Sequence, residues 1–365
     1  MTESLTNVEK IKLRLRNDVE YFIETQLHIR TKRRRLEQFI LNKAQKKIVS
    51  VVEYLRKLKK PVRIIVLKAR QVGSSTVSEG VLYQDTSTHE NVSSLIIAHD
   101  KESTQNLFRI SKLFWDTQNP KIRPMKRISS RTELIFENPN PKLRDDDPGL
   151  RSYIRVDTAG NLGAGRSFTI QNLHVSELPK WEKPEEVMSG LLQCVPDIPE
   201  SMIIIEFTAL GFGNYAHLMW QDAERGENDF VPIFIGWHED ETCTMVPPKD
   251  FEPFDFEHEI FGNEVNLAKL YNLDLGQLYW RRYTIKNKCK NRIDTFRQEF
   301  PSNPNEAFLV TGCNVFDRFA IEDYYLKVTE PKKRGGLDDG LKFTASGRGE
   351  LRIWKEPDPN NRYSV

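Results

Sequence analysis

The stretch IIVLKARQVGSSTVSEG (residues 64–80) holds the residue types and spacing best suited to chemistry. An apolar run, Ile64–Leu67, leads into a loop containing Gly73, and Ser75 and Thr76 then open a helical segment. Strand–loop–helix is the setting a phosphate loop requires, because backbone N–H groups and the helix N-terminus face the anion there. The spacing departs from G-x-x-x-x-G-K-[ST]. With Gly73 as the second glycine, Lys68 stands at the first-glycine position and Ser74 at the lysine position, which leaves Ser75 as the hydroxyl for Mg²⁺. Lys68, Ala69, Arg70, Gln71, Val72, Gly73, Ser74, Ser75 and Thr76 thus form the candidate cradle for ATP. Lys68 and Arg70 are the cations available to replace the missing lysine. A guanidinium meets phosphate with two parallel bonds where an ammonium is a point charge, so Arg70 is expected to matter more for hydrolysis and Lys68 more for affinity. An ordinary strand–helix turn with incidental basic residues is the alternative.

Phosphoryl transfer to water also needs acids at the end of a second strand, one for Mg²⁺ and one to position the water. FTIQNLHVSELPKW (168–181) supplies part of this. Its apolar strand ends in Ser176-Glu177. Glu177 is the candidate general base, and Glu177→Gln is expected to abolish hydrolysis while sparing nucleotide binding. Ser176 stands where an aspartate is usual and could reach Mg²⁺ only through water. A further strand, MIIIEF, runs into Thr208-Ala209, where Thr208 could sense the γ-phosphate. The alternative for each is a strand followed by surface polar residues.

The elements around these residues alternate. Residues 5–60 read as helical from the spacing of Val19, Phe22, Ile23 and Leu27 and then of Ile40, Leu41, Ile48, Val51 and Leu55, up to Pro61. After 64–67 come a helix from Ser75, strand 95–98, helix 104–115, strands 132–136 and 152–157, strand 169–175, helix 185–195, strand 202–207, helix 215–224 and strand 230–235. Strand–helix alternation of this kind specifies a mostly parallel α/β sheet. Beyond Trp237 the chain reads as a loop over 247–262 and as helix over 264–300. A hairpin is expected over 340–344 and 350–354, around SGRG.

Composition narrows the function classes. The 365 residues are 38% hydrophobic and 29% charged, with no apolar run approaching the roughly 20 residues of a membrane span. The polar N-terminus carries no secretory signal. Four well-separated cysteines and seven histidines show no metal-ligand spacing and fit a reducing compartment. The net charge of +2 conceals an asymmetry: residues 1–60 hold 16 Lys/Arg against 7 Asp/Glu, so the remainder is net acidic. A basic arm points to an anionic partner such as nucleic acid, or to a solvated helix face. If DNA is the partner, removing residues 1–35 is expected to weaken binding and flatten its salt dependence.

Taken together, these segments resemble the large terminase subunits of tailed phages. LKARQVGSST resembles that family's arginine-bearing Walker A. LHVSELPKW resembles a variant Walker B with Ser-Glu for Asp-Glu, and EEVMSGLLQCVP follows it as in the family. EFTALGFGNYAHLMW resembles the coupling segment E-S-T-A-N-G-x-G-N, with departures at Phe207 and Leu210 that leave its polar contact to Thr208. FRQEFPSNPNEAFLVTGCNVFD resembles the stretch that joins motor to nuclease, and LNKAQKKI the adenine motif, with Gln45 as the reader.

The resemblance covers residues 35–365. It implies a P-loop NTPase of the additional-strand, catalytic-glutamate type: a helical arm over 1–60, an ATPase core over 61–240 and a linker or lid over 241–365. The expected activity is ATP- and Mg²⁺-dependent translocation of double-stranded DNA into a procapsid, in the host cytoplasm during assembly. The expected partners are the portal protein, the small terminase subunit and further copies in a ring, with no membrane. Arg166 resembles a position the family keeps basic and is one candidate arginine finger, beside Arg127, Arg131, Arg144, Arg151 and Arg155. The nuclease half is expected to lie beyond Val365, so this chain alone is expected not to cut DNA. A helicase-like DNA-dependent ATPase and a non-hydrolysing nucleotide-binding scaffold are the rival readings.

Overall fold

Alternate residues of the central strands are apolar on both sides, which requires cover on both faces of a sheet. A computed structural model, describing residues 6–161, 163, 169–308, 331–337, 342–345 and 351–353, shows how this is met. The chain divides into two compact units, Met1–Thr311 and Gly312–Val365.

The first unit opens with helices α1 (Asn7–Asn17) and α2 (Val19–Gln26), strands β1 (His28–Arg30) and β2 (Leu36–Gln38), and α3 (Lys43–Lys57). Strand β3 (Val62–Lys68) and α4 (Ser74–Thr88) carry the loop. They are followed by β4 (Ser93–Ala98), α5 (Lys101–Thr117), β5 (Ile128–Ser129), β6 (Glu133–Glu137), β7 (Gly149–Thr158), β8 (Asn172–Ser176), α6 (Pro184–Cys194), β9 (Met202–Phe207), α7 (Tyr215–Arg225) and β10 (Val231–Ile235). The eight strands from β3 to β10 form one sheet in the order β10-β3-β9-β8-β4-β7-β6-β5. Pairing is parallel from β10 to β7 and antiparallel for β6 and β5 at one edge. This is the expected α/β class, and β9 is the strand inserted between the loop strand β3 and β8, the strand that leads into Glu177.

Strand parity sorts the faces. Ile64, Val66, Ile96, Met202 and Ile204 pack with α1–α5, whereas Ile65, Leu67, Leu173, Val175, Ile203 and Ile205 pack with α6 and α7. Lys68, His174, Ser176 and Glu206 share the parity of the first group, so they face α4. That parity is the main device by which the fold assembles a polar cluster over one patch of sheet.

Residues 28–38 depart from the helical reading of 5–60. They form an antiparallel hairpin with Ile29 opposite Glu37. The charged run Lys32–Arg35 has no apolar period to dock a helix. The chain turns there through Arg34 at φ 61°, closed by Arg34 N–H to the Thr31 carbonyl at 2.9 Å.

The arm is not a free appendage. Leu15, Val19, Phe22, Ile23 and Leu27 are buried, and Phe22 lies against Tyr83 of α4. A Cβ at Gly80 of α4 would come within 3.2 Å of Ile23 Cδ1, so the glycine lets α2 seat closely on α4. Gly80→Val is expected to destabilise the fold by about 1–3 kcal/mol, the usual cost of overpacking. Denaturant unfolding checks this, and unchanged stability would contradict the docking.

Past β10, the stretch read as helix over 264–300 is broken into α8 (Glu264–Tyr271), α9 (Leu275–Asn287) and α10 (Ile293–Glu299), with α11 (Pro304–Phe308) after them. Asn272 at φ 52° ends α8, and Asp274 caps α9. In the second unit, β11 (Lys333–Leu337), β12 (Phe343–Ala345) and β13 (Leu351–Ile353) form a sheet in the order β12-β11-β13. The two strands flanking SGRG therefore do not pair with each other as a hairpin. Each pairs with β11, where a Cβ at Gly335 would collide with the Thr344 carbonyl oxygen.

Candidate active site

The loop between β3 and α4 turns through Gln71 at φ 65° and Gly73 at φ 79°. Gly73 is the N-cap of the 15-residue α4, and no side chain caps that end. The leading N–H groups of α4 are thus not taken by a side-chain acceptor, which is the condition for anion binding at a helix N-terminus. Gly73 also gives Gln45 room: a Cβ there would lie 2.5 Å from Gln45 Nε2 and displace that amide.

Gln45 donates from that nitrogen to the Gly73 carbonyl at 3.0 Å, and its Oε1 accepts from Asn42 N–H at 3.0 Å in the capping box of α3. Its amide braces the loop against α3. Ser74 is buried, and its hydroxyl makes no hydrogen bond among the described residues. Thr76 lines a groove with Ile29, Arg30, Arg109 and Lys112 on the other side of the loop.

Four of the residues singled out from sequence meet at the carboxyl ends of β3, β8 and β9. Lys68 Nζ lies 3.1 Å from Glu177 Oε1 and 3.5 Å from Thr208 Oγ1. Ser176 precedes Glu177, whose other oxygen is 3.0 Å from Lys180 Nζ. The fifth, Ser75, reaches the same cluster through a residue that motif reasoning left without a role. Glu206, fully buried, accepts from Ser75 Oγ at 2.9 Å and from Ser176 Oγ at 2.6 Å on Oε1, while its Oε2 is 3.1 Å from Lys68 Nζ. Behind it, His174 Nε2 is 3.6 Å from Glu206 Oε1, and His174 Nδ1 bonds Glu79 Oε1 of α4 at 2.7 Å. Ser111 of α5 donates to Glu79 Oε2 at 2.5 Å.

Charge holds this cluster together. Burial works to neutralise Lys68, but Glu206 and Glu177 outweigh it and raise its pKa. Burial likewise opposes a charged His174, yet the Glu206 and Glu79 carboxylates lift it to about 9. Burial would raise the pKa of Glu206, and Lys68 and His174 instead hold it well below the usual carboxylate range. The alternation of cation and carboxylate lets a dry site keep its charges.

Arg70 is placed elsewhere. Its guanidinium forms an ion pair with Glu299 of α10, and its backbone N–H donates to the Glu299 carbonyl at 2.8 Å. Among the finger candidates, Arg127 immediately precedes β5, and Arg131, Arg144, Arg151 and Arg155 lie on or between β5, β6 and β7. The strands β4, β8 and β9 separate that edge from β3. Arg166 lies outside the described residues. A surface cleft lined by Arg16, Glu53, Asp85 and Gln171 sits at the amino ends of the strands and holds none of these groups.

Glu206 and His174 had a signal in the sequence. Each is the one ionisable residue of its buried strand, Glu206 among apolar neighbours and His174 between Leu173 and Val175, and a buried charge must find a partner.

By sequence, no family model and no curated protein matches this chain. By structure, it is similar to the large terminase of bacteriophage HK97, with a TM-score of 0.54 at 15% identity over 88% of this chain and 62% of that one. It also aligns with the large terminase ATPase domain of Thermus phage P74-26, at 0.44 and 13% identity over 71% of this chain and 98% of that one. The large terminase of another thermophilic bacteriophage aligns at 0.42 and 12% identity over 55% of this chain and 47% of that one. The first of these shows a shared fold across most of the chain, which spans about 62% of the HK97 protein's length.

Proposed function

We propose that this chain is an ATP-hydrolysing motor unit that drives double-stranded DNA into a viral procapsid. One observation carries the reading: Lys68, Ser75, Ser176, Glu177 and Thr208 converge beside a glycine loop that opens an uncapped helix. The terminase-like fold gives that convergence its context. The cluster also fits Mg²⁺, because the metal prefers oxygen ligands and the Ser75 and Ser176 hydroxyls bond the same carboxylate oxygen.

In this reading the backbone of 69–75 cradles the triphosphate. Ser75 would hold Mg²⁺, with Ser176 reaching it through water, and the metal would supply positive charge against the phosphates. Glu177 orients the attacking water and accepts its proton. Lys68 and Arg70 balance the charge that develops on the phosphates, which for Arg70 means leaving Glu299. Thr208, beside Lys68, senses loss of the γ-phosphate. Gln45, already against Gly73, is the candidate adenine contact. Arg166 and the arginines of the β5–β7 edge remain the candidate fingers, acting within one subunit or on a neighbour. The portal protein and the small terminase subunit are the protein partners this reading implies.

Equilibrium binding of a fluorescent ATP analogue with Mg²⁺ tests the site. Competition by unlabelled ATP is expected, and no binding at millimolar nucleotide would overturn the reading.

DNA contact is assigned to the hairpin tip. Lys32, Arg33, Arg34 and Arg35 are exposed, whereas truncating residues 1–35 would remove buried Leu15, Val19, Phe22, Ile23 and Leu27. Alanine at Lys32–Arg35 is expected to weaken DNA binding and to flatten the log–log salt slope by about 0.9 for each phosphate no longer neutralised. An unchanged slope would return the tip to the solvated-face reading.

A further inference from the structure

Ser176 stands where the acid of a nucleotide site is usual, and a hydroxyl cannot supply the charge that a divalent cation draws on. Glu206 lies one strand over, in register beside Ser176 on one side and Val66 of the loop strand on the other. Its carboxylate faces α4 with Lys68, and a single oxygen, Oε1, accepts from both Ser75 and Ser176. These are the two hydroxyls the site offers to a metal, and they come from two separate elements.

We propose that Glu206 is the acidic Mg²⁺ ligand of this site, the carboxylate having moved sideways from β8 to the inserted strand β9. The proposal rests on the nucleotide-site reading above. It gives the two acids separate roles. Glu177, at the strand tip with its side chain one-fifth exposed, can reach water. Glu206, fully buried beneath it, is the acid whose oxygen sits with the Ser75 and Ser176 hydroxyls.

Beyond Lys68, the carboxylate has a second cationic neighbour on the side away from the loop. Glu206 is fixed from behind by His174, which Glu79 and Ser111 hold in turn. Outer-shell partners of this kind orient metal ligands. His174 and Glu79 are therefore positioning residues for Glu206.

The test measures the affinity of the full chain for ATPγS in EDTA and in Mg²⁺, with the electron paramagnetic resonance of Mn²⁺·ADP as a second readout. The variants are Glu206→Gln, Glu206→Asp and the double variant Glu206→Gln/Ser176→Asp, which returns the acid to β8. In the parent chain, metal is expected to tighten ATPγS. Glu206→Gln is expected to bind metal-free nucleotide at least as well, yet to lose at least the roughly 10–100-fold that even outer-shell changes cost a metal site. The double variant is expected to recover most of the loss and the Mn²⁺ signal.

Full metal enhancement in Glu206→Gln would overturn the proposal. Glu206→Asp keeps the charge that pairs Lys68 and His174 but withdraws the oxygen by one methylene. Should Glu206→Gln fail to fold, Glu206→Asp decides: reduced enhancement in a folded protein supports the ligand role, and undiminished enhancement overturns it. A parent chain that binds no ATPγS in either condition contradicts the nucleotide-site reading itself, an outcome distinct from metal-enhanced binding that ignores Glu206.

Discussion

Glu177→Gln is expected to lower single-turnover ATP hydrolysis by about 10²–10⁴-fold, the usual contribution of a general base, and to leave nucleotide affinity within a few-fold of the parent. Glu177 sits at φ 55°, ψ 44°, a left-handed conformation uncommon for a side chain of its size and one that clusters at functional sites. Its backbone N–H donates to the Glu206 carbonyl at 2.8 Å, which anchors the turn independently of the side chain. The carboxylate is steered from both sides, by Lys68 at 3.1 Å and Lys180 at 3.0 Å. Glutamine keeps the shape and one acceptor but cannot take the proton of the attacking water. Binding is expected to survive because the proposed phosphate cradle is the backbone of 69–75, apart from Glu177. Near-normal turnover would remove Glu177 from the mechanism.

The second large effect separates the two loop cations. Arg70→Ala is expected to slow the chemical step on the order of 10³-fold, the scale of a lost transition-state cation. It should change stability little, since the half-exposed Arg70–Glu299 pair is a surface contact worth at most about 1 kcal/mol. Lys68→Ala is expected to act differently. Lys68 is buried and bridges Glu177 and Glu206, so its loss strands a fully buried carboxylate. Breaking a buried pair in this way costs about 3–5 kcal/mol. Lys68→Ala should therefore lower the unfolding midpoint as well as nucleotide affinity. Single-turnover kinetics beside denaturant unfolding resolve the two. A large rate loss in a stable Lys68→Ala protein, with normal rates in Arg70→Ala, would show that Lys68 alone meets the γ-phosphate and that Arg70 serves to dock α10.

What could be read in the sequence follows from how local each signal is. The strands 62–68, 93–98 and 202–207 are short apolar runs between helical periods, and both type and order emerge from pattern alone. The glycine loop is legible because its φ of 79° favours glycine at residue 73. The hairpin at 28–38 is not, because its strands are three residues each and mostly exposed, leaving no alternation to detect. Nor is the order β12-β11-β13, because strand pairing is set across the sheet and not along the chain.

Glu206 is the instructive case. Its segment is legible as the coupling motif, in which Thr208 at the strand end is the conspicuous polar residue. Only the inserted position of β9, with Ser176 and Val66 in register on either side, brings Glu206 to Ser75 and Ser176. Arg70 shows the reverse: its chemistry suits a phosphate, while the fold holds it on Glu299, 229 residues away in sequence.

The proposed hydrolysis of ATP at the Gly73 loop, with Glu177 and Glu206 as its acids, is tested by single turnover of γ-labelled ATP by the chain, with Mg²⁺ and double-stranded DNA, at protein concentrations that favour self-association. Mg²⁺-dependent release of phosphate is expected, and its loss in Glu177→Gln. ATP that binds tightly and is recovered intact, with parent and Glu177→Gln indistinguishable, would contradict it.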